Sequence, residues 1–146
     1  QEKPKAQVKG SVSETHQVEQ AINIQIELTG CSISGRTVTC SMILTRLGQD
    51  TWFNYNGGRI INEVGEEFAL YQTTVGGKET RQAALVKNVP LKSSMIFNNV
   101  SQETKVLTLL EIAAFAGVEG TSNFQFRNIP VVKSESTMPA KKVKKR

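Results

Sequence analysis

Residues 22–42 read INIQIELTGCSISGRTVTCSM, and their pattern decides the fold. Ile22, Ile24, Ile26 and Leu28 alternate with Asn23, Gln25, Glu27 and Thr29. Successive side chains of a strand point to opposite faces, so this run has one apolar and one polar face. Val38, Cys40, Met42 and Leu44 alternate in the same way with Thr37, Thr39, Ser41 and Thr45, and Ile43 is the one break. Between the runs, Ser32-Ile33-Ser34-Gly35 is a turn signal. Folding the runs back between Gly35 and Arg36 sets Cys31 opposite Cys40, and these are the only two cysteines in the chain. The reading is a β-hairpin clamped by a disulfide. One parity conflict remains: odd-numbered Cys31 falls on the polar side of its strand while Cys40 lies with the apolar set. Gly30 offers the place for a β-bulge that resolves it.

Outward from this hairpin the chain continues as short strands. Residues 51–56, TWFNYN, are strand-forming, with either Trp52 or Phe53 and Tyr55 directed to the core. Asn56-Gly57-Gly58 signals a primed turn, and Val64-Gly65-Glu66 a second turn. Strands are expected at 59–63, 67–72, 81–91, 94–100 and 124–129, with a flexible loop at 74–79. Residues 105–115, KVLTLLEIAAF, fit a helix through Leu107, Leu110 and Ala114, or a strand through Val106, Thr108, Leu110 and Ile112. Strand neighbours on both sides favour a buried strand. Seven to nine short strands with Gly, Asn or Pro between them indicate a β-sandwich or barrel.

At 146 residues the chain is long enough for one domain with its own core. Residues 1–17 read as an extended leader, with a short strand near 8–12, residues 18–131 as the sandwich, and residues 132–146 as a basic flexible tail. A Gln at position 1 together with a disulfide fits a mature secreted chain. No apolar run approaches the length of a membrane-spanning helix. The net charge of +5 lies in the tail: residues 133–146 hold six basic groups against Glu135, whereas residues 1–132 hold twelve of each sign. A neutral domain argues against a nucleic-acid-binding face.

Enzyme patterns find little support. The single histidine, His16, lies in the leader, and the single aspartate is Asp50. A Ser-His-Asp or Cys-His arrangement, a zinc site and a calcium loop all lack residues. The expectation is no catalytic residue, no metal and no cofactor. Glu66 and Glu67 read as a solvated hairpin tip. Glu111 faces away from Ile112 toward solvent, and if buried it needs Arg127 or Arg81 as a partner. Gly76-Gly77-Lys78 lacks the spacing of a phosphate loop.

The run Leu28-Thr29-Gly30-Cys31 to Val38-Thr39-Cys40, the segment 45–50 (TRLGQD) and the segment 124–130 (FQFRNIP) resemble secreted bacterial immunoglobulin-like domains of unknown function. The resemblance covers residues 20–130. It implies an immunoglobulin-like β-sandwich of antiparallel strands, exported to the periplasm or cell surface, and it transfers no catalytic residues. The functional expectation is a non-enzymatic structural or interaction module of an envelope or surface assembly. Lys141, Lys142, Lys144, Lys145 and Arg146 would form an arm for a protein partner or an anionic polymer. The alternative is a carbohydrate- or peptide-binding module with an aromatic platform at Trp52, Phe53 and Tyr55.

Overall fold

The computed structural model describes residues 17–134. His16, the strand expected near 8–12 and the basic residues 141–146 lie outside the described residues. Within them are eleven strands: β1 (Gln17–Ala21), β2 (Ile24–Ser34), β3 (Thr37–Arg46), β4 (Thr51–Asn62), β5 (Glu67–Ala69), β6 (Gln72–Val75), β7 (Lys78–Glu79), β8 (Gln82–Leu85), β9 (Leu91–Phe97), β10 (Val106–Ala116) and β11 (Gly120–Lys133). The count exceeds seven to nine because β5, β7 and β8 are only three, two and four residues long.

β2 and β3 form the expected hairpin. Ser34 pairs with Thr37, and Gly35 supplies the positive φ (61°) that a primed two-residue turn needs at its first position. The register slips between Leu28, opposite Met42, and Gly30, opposite Ser41. That bulge returns Cys31 to the inward face, directly across from Cys40, and the two are joined by a disulfide.

One layer has the order β2-β3-β9-β6, with β1 beside β2 and β7 beside β6; the other has β5-β4-β10-β11, with β8 also on β4. These are the A-B-E-D and C-F-G orders of an immunoglobulin sandwich. The inward residues of both layers merge into one core, including Ile26, Met42 and Phe97 from the first and Phe53, Leu110 and Phe126 from the second. Tyr55 of β4 crosses between them: its hydroxyl lies 2.6 Å from Ser93 Oγ and 3.6 Å from Met42 Sδ. Burial raises the Tyr55 pKa, and the Ser93 bond only partly offsets this.

The layers also meet at a seam. β11 pairs with β10 as far as Pro130, and then Val131, Val132 and Lys133 run parallel to Cys31, Ser32 and Ile33 of β2. This parallel pairing departs from the wholly antiparallel sheet expected.

Several local expectations change. Asn56-Gly57-Gly58 is not a turn, and β4 runs straight through it. Gly58 lies in a close approach: a Cβ there would lie 3.2 Å from the Glu111 carbonyl oxygen and would displace the flexible Met95 methyl, 2.5 Å away. Residues 67–72 are two strands in different layers, because Leu70 N–H donates to Gly58 O and Tyr71 N–H to Ile96 O. Residues 74–79 form a tight hairpin, with Gly76 and Gly77 both at positive φ (63° and 83°). Residues 81–91 break into β8 and the first residue of β9, with Pro90 in the gap. Residues 105–115 are strand, as β10. In β11, Phe124 and Phe126 face the core, but Asn128 takes a left-handed φ of 56° and faces solvent. Ile129 fills the inward place instead.

Candidate functional site

The sequence proposed a three-residue aromatic platform, and the strand parity divides it. Phe53 and Tyr55 are buried and packed edge to face, with ring centroids 4.9 Å apart. Trp52 points the other way and is 49% exposed. A platform on this sheet therefore has Trp52 alone of the three. The disulfide pair is in place. The tail cations lie outside the described residues, but the point where the tail leaves the sandwich does not. Ser134 N–H donates to Ile33 O at 2.8 Å, continuing the parallel seam by one residue.

Two arginines of the sandwich, Arg46 and Arg59, are paired with carboxylates. On the outer face of the second layer, Arg59 Nε donates to Glu111 Oε1 (2.8 Å), and Gln125 Nε2 donates to Glu111 Oε2 (2.9 Å). Arg59 also reaches Glu67 at 3.3 Å, and Arg127 Nη2 donates to Gln125 Oε1 at 2.8 Å. The partner of Glu111 is thus Arg59, directly across the strand pair. Arg127 enters only through Gln125 and its charge.

At the end of the sandwich that carries the 47–50 and 117–119 loops, Arg46 is a residue whose role sequence reading missed. It is 2% exposed, and its guanidinium is spread over three loops. Nε donates to Gln49 O at 2.6 Å, Nη1 to Ile22 O at 3.0 Å and Asn23 O at 3.3 Å, and Nη2 to the Glu119 carboxylate at 3.0 and 2.9 Å. Asn23 Nδ2 donates to the same carboxylate. The warning was present in the pattern. Arg46 continues the inward series of Val38, Cys40, Met42 and Leu44, and an arginine on a core face needs a partner.

Hydrogen bonds hold several carboxyls below the ordinary carboxylate range, among them Glu111, Glu119 and Glu66. For Glu111 the causes are the Gln125 amide, then Arg59; for Glu119, the Asn23 amide, then Arg46; for Glu66, the Asn62 amide, then the Ser101 hydroxyl. A carboxyl with a depressed folded pKa stabilises fully above its unfolded value, about 4.3. It loses that contribution as the pH falls through the folded value. Thermal unfolding should therefore be nearly level from pH 7 to pH 5 and should move to lower temperature below about pH 4.3. A melting temperature that rises on acidification to pH 3 would contradict this.

Among the described residues no group of three His, Cys, Asp or Glu side chains is placed to hold a metal ion. No helix among them is long and apolar enough to cross a membrane.

No family model matches the chain, and no curated protein matches it. Among solved structures, the chain is similar to the yeast GGA1 GAE domain, solved as GGA1_GAE domain-P21. The match has 10% identity and a TM-score of 0.42, and it covers 80% of this chain and 100% of that one. A likeness of that size carries no argument. The fold assignment above rests on the strand order and the shared core.

Proposed function

We propose that the chain is a non-enzymatic interaction module of a bacterial envelope or surface assembly, exported to the periplasm or cell surface, in which the basic C-terminal segment is the attachment arm. The observation that carries this reading is the root of the arm. Val131 to Lys133 pair with Cys31 to Ile33, and Ser134 adds a further bond to Ile33. A tether attached there transmits load into a hairpin that is covalently clamped at Cys31–Cys40. The disulfide favours an oxidising compartment. The five cations at 141–146 supply counterion-release binding to a polyanion or to an acidic partner surface.

The test compares capture from envelope extract by the full chain and by a chain ending at Ser134. That end keeps the β2–β11 pairing, which an earlier truncation would damage. Capture by the full chain that weakens with salt and disappears with the arm is the expected result. Capture unchanged by truncation would place attachment elsewhere and overturn the reading.

A further inference from the structure

The outer face of the β4–β10–β11 layer divides along its length into a charged half and an uncharged half. The charged half is the Arg59–Glu111–Gln125–Arg127 network. In the other half, register places Ala113 between Gly57 and Asn123, and Phe115 between Asn54 and Thr121. Trp52 closes this half beside the 117–119 loop, where Gly117 N–H donates to its carbonyl. The flanking residues are small: Ala84 pairs with Trp52 across β8, and Gly117 has no side chain. The indole therefore stands clear of its neighbours, which is why it is half exposed.

Amides surround this surface. Ala114 pairs with Tyr55 and Ala113 with Gly57, which leaves Asn56 as the extra residue of a bulge. Asn54 Nδ2 donates to Asn56 Oδ1 (2.9 Å) and to Tyr55 O (3.1 Å). Those bonds fix both amides and leave Asn54 Oδ1 to accept and Asn56 Nδ2 to donate. Asn123 is exposed and, with Gly57, Gly58, Ala69 and Ala113, lines a depression of about 270 Å³ that begins where the Trp52 half ends and whose other wall is the charged set Arg59, Glu67 and Glu111. At the far rim the Arg59 and Glu111 charges neutralise one another.

We infer that this face is a binding site for a neutral oligosaccharide, with Trp52 as the stacking platform and Asn54, Asn56 and Asn123 as hydroxyl-binding amides. The chemistry selects that occupant. The apolar C–H face of a pyranose stacks on an indole, and its hydroxyls need donors and acceptors together, which amides supply. An acidic ligand needs an uncompensated cation at the site: Arg59 is engaged by Glu111 and Glu67, and Arg127, which donates to Gln125, lies four residues beyond Asn123 along β11, at the far end of the charged half. An apolar peptide needs an enclosed groove, and this depression is shallow. From Trp52 to Gly57, the β4 residue level with Asn123, the strand spans about 16 Å, at about 3.3 Å per residue, so the site takes a short run of sugar units.

Trp52 is the only tryptophan, so its emission reports on this site alone. The full chain is titrated with cellohexaose, xylohexaose, maltoheptaose and chitohexaose, with heparin and polyglutamate as charged controls. Saturable change in emission with at least one neutral glycan is expected. By calorimetry, Trp52→Ala and Asn123→Ala should each weaken that binding at least tenfold without lowering the melting temperature. Emission unmoved by all four neutral glycans at millimolar concentration, a response to the charged controls only, or binding that survives Trp52→Ala overturns the inference. The chain ending at Ser134 should bind the same glycan equally well, so failure of this site and failure of the arm are read separately.

Discussion

Arg46→Ala is expected to destabilise the protein by about 3 kcal/mol, the lower end of the range for removing one partner of a buried ion pair, because Arg46 is buried but Glu119 is 23% exposed. Burial of Arg46 is nearly complete, and its guanidinium donates to the main chain at Ile22, Asn23 and Gln49 as well as to Glu119. Alanine removes the donor to those three carbonyls, and acceptors left unsatisfied away from water carry a desolvation penalty, whereas the Glu119 carboxylate keeps Asn23 and some solvent. It also removes the piece that joins the 22–23, 47–50 and 117–119 loops. Gly48 shows how tightly the guanidinium is held, since a Cβ there would lie 2.9 Å from Nη2. Arg46→Lys should recover only part of the loss, because an ammonium has no fork to serve three directions. Thermal unfolding should fall on the order of 10–20 °C for the alanine variant. A shift of a few degrees would mean that the loops are held in place without Arg46.

The second large effect is at the hairpin. Cys31 and Cys40 are nine positions apart, and in the chain-entropy model a closed ring of that length contributes about 2.5–3 kcal/mol. Cys31→Ala/Cys40→Ala should lower the unfolding free energy by that amount, read from denaturant unfolding as a lower midpoint. The loss should concentrate at the seam, because Cys31 pairs with Val131 on one side and with Cys40 on the other. Amide exchange at Val131 to Lys133 should accelerate more than exchange in the middle of β10. Equal stability of the double variant would show that the strands alone hold the hairpin. Reductant should act slowly on the native protein, because both cysteines are buried, with Cys31 3% and Cys40 0% exposed.

These two effects differ in how far the sequence announces them. The hairpin is legible down to its bulge, because alternation fixes each face and the misplaced parity of Cys31 demands one extra residue. β10 is legible only through its neighbours. Its inward series passes from Leu107 to Leu110 across an irregularity opposite β4, so no single alternation describes it. The Gly57-Gly58 pair misleads, since its composition is that of a turn, whereas a Cβ at Gly57 would meet nothing within 4 Å and Gly58 sits in a close approach to the Glu111 carbonyl oxygen and the Met95 methyl. The crossing at Leu70–Tyr71 has no signal at all: EFALYQ reads as one strand, and the change of layer depends on which strand each amide meets. The sequence leaves two alternatives, Trp52 inward or Phe53 with Tyr55 inward, and the structure takes the second. What decides against burial of Trp52 is the parity shared by Phe53 and Tyr55, and the bulge at Asn56 then passes inward facing to Ile60.

The seam also sets an order of events when the chain is made. β1 covers the first half of the outer edge of β2 almost as soon as both are synthesised, with Ala21 opposite Ile24. The second half, at Cys31 to Ile33, has to wait for Val131 to Lys133. The link between Gln17 Nε2 and Arg127 O spans 110 positions, so it too is late. Until then the emerging chain carries an unpaired strand edge beside its two cysteines, a state open to wrong pairing with other chains. Contacts this distant in sequence slow folding. The last residues of the domain are therefore also the ones that end its period of greatest exposure, and a chain halted before residue 131 keeps that edge open.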